Sequence, residues 1–229
     1  MRRILWPGGV ALTITGFALS LYLVFIRTAV DRELGFTQKI FYFHVPCAWV
    51  TFLAFAITAA SSIVFLVTRR TWWDDLAYSS LEVGTVFTTL VLVTGPLWAK
   101  PTWGAYWVWD ARLTTTLVLW LVEVAYLLLR AFIEEPERAA KYAAVLGLLG
   151  ALDIPIVHYS VALWRGMHPS PVVMAREGFG AGLPLDFLVA LLVSLVSFTL
   201  LFVMLTATRL RLEAVRGRLA ALRHRANER

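Results

Sequence analysis

The chain has 229 residues, 59% hydrophobic and only 16% charged, with a mean hydropathy of +0.72 and a formal net charge of +6. That balance is far too apolar for a soluble domain, and spanning helices of about 20 residues each use up nearly all of it. The lone cysteine, Cys47, excludes a disulfide framework and a thiolate metal cluster, and the lack of a Gly-x-x-x-x-Gly-Lys-Ser/Thr loop leaves any ATP hydrolysis to a partner.

Six apolar runs predict an all-α bundle of six transmembrane helices, at roughly 5–26, 40–68, 77–98, 113–133, 142–164 and 184–208. The first follows Met1-Arg2-Arg3. It is longer than a signal-peptide core and has no small-residue cleavage site after it, so it reads as a helix. An N-in, C-in arrangement puts fourteen of the 21 Lys and Arg residues inside, seven of them in 209–229. The other seven (Arg27, Arg32, Lys39, Lys100, Arg112, Arg165 and Arg176) then lie outside, as the positive-inside rule favours.

Three segments face outside in this arrangement: 27–39, 99–112 and 165–183. The last holds Pro169, Pro171, Gly178, Gly180 and Gly182 and reads as a loop or a broken helix. Residues 1–208 form the membrane domain. The tail 209–229 sets Leu212, Val215, Leu219 and Leu222 at helical spacing among arginines. It reads as a basic amphipathic helix on the inner leaflet or against a cytoplasmic partner, and not as a nucleic-acid binder.

The segment Trp103-Gly-Ala-Tyr-Trp-Val-Trp-Asp110 is the most distinctive. Four of the ten tryptophans fall between Trp98 and Trp109, with Tyr106 among them. An interfacial aromatic belt is one reading. A plate for a flat apolar ligand is the other, with Trp103 and Trp107 on one face if the segment coils. Asp110 precedes the fourth run, either as a helix N-cap or to orient the plate or contact a partner.

Three of the four histidines gather at the same end. His44 lies about a turn inside the second helix, His168 just beyond the fifth, and His158 about ten residues earlier. Imidazoles on either side of an aromatic plate suit the two axial positions of a haem iron. Lys100, Arg112, Arg165 and Arg176 are candidates to pair with its propionates. Glu123 and Asp153 fall at similar mid-membrane depth, where an ionisable group signals either a pathway or a hydrogen-bonded structural role. Pro46, Pro96 and Pro155 are expected to kink their helices.

With Phe-His44-Val-Pro ahead of it and Ala-Arg-Leu-Thr114 after it, Trp103-Gly-x-x-Trp107-x-Trp109-Asp110 resembles the tryptophan-rich WWD signature of haem-handling membrane proteins. Over essentially its whole length the chain is similar to the C subunits of the cytochrome c maturation system (the CcmC family). The larger haem lyase relatives carry more helices.

The resemblance implies non-covalent haem b, its iron ligated axially from both faces by His44 and His168, with Trp103, Gly104, Trp107, Trp109, Asp110 and Arg112 around it. It also implies delivery to a membrane-anchored haem chaperone (the E subunit), beside ABC transporter ATPase and membrane subunits and a one-helix D subunit. That is a haem-delivery protein of the plasma (inner) membrane, with its site on the outer face, and not a conventional enzyme. Two other classes stay open. One is a transporter subunit whose pathway is lined by Glu123, Asp153 and His158. The other is a b-type electron-transfer cytochrome using His44 and His158.

Overall fold

The computed structural model describes residues 2–164, 166–169, 174–175, 178–179 and 183–227. Its helices are α1 (Arg2–Tyr22), α2 (Phe41–Thr68), α3 (Thr71–Trp103), α4 (Ala111–Phe132), α5 (Pro136–Trp164) and α6 (Leu185–Asn227). A π-turn, Leu23–Arg27, ends α1, and a 3-10 turn, Phe36–Ile40, leads into α2. All six are long and apolar enough to cross a membrane. Between α5 and α6, Met174–Ala175 (β1) pairs antiparallel with Gly178–Phe179 (β2).

The long helices α2 and α3 are the central pair, joined by only Arg69 and Arg70. They touch closely because Gly84 has no side chain; a Cβ there would sit 2.6 Å from that of Ala54. Small residues that admit a neighbouring backbone are the usual basis of helix association in lipid. Helix α4 packs on α3 and α5, α5 packs on α2, and α6 packs on α1, α2 and α3. One core cluster joins α2, α3 and α6 around Val50, Phe87 and Phe198. Another joins α2, α3, α4 and α5 around Phe55, Leu119 and Tyr126.

Charged residues pin the end of the bundle opposite the Trp98–Trp109 cluster. Arg130 of α4 grips Asp74 of α3 with both terminal nitrogens, one at 2.8 Å, and lies 4.5 Å from the centre of the Tyr78 ring. Arg209 of α6 pairs with Glu82 and Glu213 and stacks over the same ring. At the opposite end Lys39 is 4% exposed; its ammonium donates to the carbonyls of Thr28 (2.7 Å) and Ala29 (3.1 Å), which ties down the 27–39 segment.

The last helix is longer than the apolar run that predicted it. The backbone does not break at 208. Helix α6 runs 43 residues, about 65 Å at the α-helical rise, against about 30 Å of hydrocarbon. The basic end, 209–227, is therefore continuous with the last apolar run in one helix. Pro46, Pro96 and Pro155 sit inside α2, α3 and α5, each of which continues through its proline.

Candidate functional site

A cavity of about 1420 Å³ opens at the tryptophan-rich end. It exceeds the roughly 300–1,000 Å³ usual for small-ligand sites. All three clustered histidines line it: His44 from α2, His158 from α5 and His168 from the segment after α5. Trp98, Trp103, Trp107 and Arg112 line it as well.

His44 is held in one tautomer by its neighbour. Its Nδ1 is 2.8 Å from Thr94 Oγ1, and the Thr94 hydroxyl donates its only proton to Leu90 O at 2.7 Å. The threonine oxygen therefore accepts, His44 Nδ1 carries the hydrogen, and Nε2 keeps its lone pair. Such an outer hydrogen bond commonly orients a metal-binding imidazole. Gly95 packs beside the ring, where a Cβ would make ordinary contact at 3.4 Å from His44 Cε1.

Asp110 positions His168. It is the N-cap of α4, with Oδ1 accepting from Leu113 N at 2.9 Å. Oδ2 accepts from the backbone N–H of Met167 (3.1 Å) and of His168 (3.3 Å). One carboxylate thus caps α4 and also holds the backbone of Met167 and His168. Gly166 permits the approach, because a Cβ there would be 2.8 Å from Asp110 Oδ2.

Arg112 braces the same corner. It donates through Nη2 to His158 O (2.6 Å) and through Nε to Ser160 Oγ (3.3 Å), with Nη1 3.2 Å from His168 Nδ1. His168 Nδ1 lies closer, at 2.9 Å, to Pro169 O. A carbonyl only accepts, so Nδ1–H faces it and Nε2 is left as the lone-pair nitrogen. Burial pushes the His168 imidazole below the ordinary histidine range and the Arg112 charge pushes the same way, against the pull of Pro169 O and Asp110. The neutral form, the one a metal binds, is favoured.

The aromatic stretch is not a helix. Helix α3 stops at Trp103, capped by Gly104 in the left-handed conformation (φ 78°), whose N–H donates to Lys100 O at 3.0 Å. Any side chain would be strained at that φ. The chain from 104 to 110 is irregular, yet it returns Trp107 to the cavity beside Trp103. Trp107 lines the cavity, and its indole N–H is buried with no acceptor among the described residues. Trp98 and Trp103 meet edge to face, 5.4 Å between centroids, as do Trp107 and Trp109 at 5.5 Å.

The expected residues divide accordingly. His44, His168, Trp103, Trp107 and Arg112 line the cavity. Asp110 and Gly104 shape it from behind. Trp109 is 76% exposed and lies with Trp164 and Met167 in a shallow hollow on the other side of the Asp110 junction. Lys100 donates to Gly104 O (2.9 Å) and sits over the Tyr106 ring. Arg165 and Arg176 lie outside the described residues.

Spacing alone did not mark Thr94, Gly95, Ser160 or Gly166. Nor did it mark the cavity lining at Thr51 and Thr88, where Thr88 donates to the fully buried Glu123 at 2.8 Å. Asp153 of α5 is half-buried; each of the two carboxylates leaves one oxygen unpartnered among the described residues.

Fold and site together define a multi-pass membrane protein with a histidine- and tryptophan-lined ligand chamber at one end. A family model described as Heme exporter protein C matches residues 1–225. Similar curated proteins, each named Heme exporter protein C, come from Bradyrhizobium diazoefficiens (42% identical, covering 80% of this chain and 69% of the relative) and Rhodobacter capsulatus (33%, covering 96% and 91%). A third, from Escherichia coli, is 35% identical over 64% of this chain and 60% of the relative. The chain belongs to the Heme exporter protein C family, whose members handle haem in cytochrome c maturation.

Proposed function

We propose that the chain binds haem as cargo between His44 and His168 and hands it to a membrane-anchored haem chaperone during c-type cytochrome assembly. The observation that carries this reading is that two imidazoles, remote in sequence, line one chamber, each with its Nδ1 engaged by a protein group and its Nε2 without a protein partner among the described residues. Among the described residues no three His, Cys, Asp or Glu side chains converge. Two imidazoles alone suit an iron that brings its own equatorial ligands, as porphyrin iron does. Trp103 and Trp107 offer flat apolar faces to the macrocycle, and the unpartnered Trp107 N–H offers a donor. Arg112 provides a cation for a propionate.

In this reading the haem is non-covalent and b-type, and the chamber faces the outer side of the plasma membrane, as the Lys and Arg distribution favours. The chaperone, the ABC transporter subunits and a one-helix subunit are the partners. Trp109, exposed beside Asp110 and Met167, belongs to the surface the chaperone meets. The chain's role is positional: it holds the haem by its two faces and leaves an edge for the acceptor. The basic end of α6 lies on the cytoplasmic side.

The test is the oxidised and reduced absorption spectrum of the purified protein and its His44→Ala, His158→Ala and His168→Ala variants. The proposal expects a low-spin haem that is lost or converted by the first and third substitutions and kept by the second. Wild-type spectra in all three variants would refute it.

A further inference from the structure

The chamber is not closed on its membrane side. Among the described residues α5 and α6 have little or no contact with one another, while α2 packs on both. Val45, Ala48, Trp49 and Phe52 of α2, with Val196 and Thr199 of α6, line the same cavity as His44. These residues lie within the membrane-spanning segments Phe36–Thr68 and Leu185–Leu219. Trp49 is 48% exposed and Val196 59% exposed. Trp49 is five residues beyond His44, about 8 Å deeper along the helix. An apolar channel therefore runs from the imidazole to the lipid-facing surface of the bundle.

One polar contact spans its α2–α6 edge. Trp49 Nε1 donates to Thr199 Oγ1 at 3.2 Å, and Thr199 donates in turn to Leu195 O at 2.7 Å. In hydrocarbon an indole N–H needs an acceptor, so this bond ties the Trp49 indole to α6 beside the seam. Without it the indole is free to turn about its two side-chain torsions.

Resting on the haem reading above, we propose that this seam is a lateral portal through which haem enters and leaves the bilayer leaflet on the His44 side, with Trp49 latched to Thr199 as its gate. The chemistry fits a flat molecule with an apolar body and two carboxylates. Its carboxylates stay at the water interface near Arg112 while its apolar edge slides between α5 and α6. A molecule arriving from water has no need of an apolar channel below the histidines.

The test measures haem transfer from donor lipid vesicles into the full-length protein in lipid nanodiscs, followed by stopped-flow absorption. Val196→Trp fills the seam from a lipid-exposed position, and Thr199→Val removes the latch acceptor at nearly constant volume. The portal expects Val196→Trp to slow loading and release together by tenfold or more, with the final spectrum and affinity unchanged. Thr199→Val should speed both severalfold. Wild-type rates in both variants, in a protein whose spectrum still depends on His44 and His168, would overturn the portal and leave the haem site standing. Spectra indifferent to both histidines would overturn the site and the route with it.

Discussion

Asp110→Asn is the most informative single change, because one carboxylate serves two structures. Oδ1 caps α4 through Leu113 N, and Oδ2 holds the backbone N–H groups of Met167 and His168 at 3.1 and 3.3 Å. Asn is as good an N-cap as Asp, so α4 itself keeps its start. The amide has only one accepting oxygen. Whichever way it is turned, one set of N–H donors then faces an NH₂ group.

Hydrogen bonds to a charged acceptor are worth about 1.5–3 kcal/mol each at best, and these two are long, so we take about 2 kcal/mol for the pair. Expressed wholly in His168 placement, that is a loss of about 30-fold in haem affinity, at about 1.4 kcal/mol per tenfold. Haem titration of the purified variant, read by affinity and by the low-spin spectrum, measures it. Asp110→Ala should lose as much affinity and also about 1 kcal/mol of helix stability from the missing cap. An Asp110→Asn protein with wild-type affinity and spectrum would refute the assignment of Asp110 as the positioning residue of His168.

Thr94→Val removes the acceptor of His44 Nδ1–H and should weaken haem retention about 10- to 100-fold, the usual range for an outer-shell partner, in the same titration. Gly166→Ala drives a Cβ against Asp110 Oδ2 and should reproduce the Asp110→Asn spectrum. The pH dependence follows from His168, which burial holds below the ordinary value of about 6.5. Above that pH the ring is neutral folded or unfolded. Below it the unfolded chain takes up the proton first, so stability and haem retention fall together only as pH drops under about 6.5. Arg112→Gln removes a charge that favours the neutral ring, and a pH titration of the Soret band should show the fall begin at higher pH. Arg130→Met leaves Asp74 buried and unpaired at the far end, where the pair is 15% and 10% exposed. It should cost about 3–5 kcal/mol in a denaturation assay and leave the haem spectrum of the folded protein unchanged.

The six spans were legible in the sequence because a bilayer demands long uninterrupted apolar runs, whatever packs beside them. His44, His168, Trp103 and Trp107 were legible as candidates because imidazole and indole are scarce in such runs and cluster at one end. Asp110 before an apolar run announced a cap on local grounds, and the cap is there. Local pattern went no further. The second role of Asp110 joins residues 57 and 58 positions apart, and nothing in periodicity predicts such a contact. Thr94 looks like any small hydroxyl in a membrane helix until α2 brings His44 against it.

A helical reading of 103–110 put Trp103 and Trp107 on one face by i, i+4 spacing. The structure joins them by another route, a left-handed turn at Gly104 and an irregular return, which also leaves Trp109 on the outside. The continuity of α6 through Arg209 was hidden because the composition changes there while the hydrogen-bond ladder does not. Sequence alone determined what must lie in lipid and which side chains can bind iron, since both follow from residue chemistry. Which of those side chains meet follows from helix packing, and only the tertiary structure decided it.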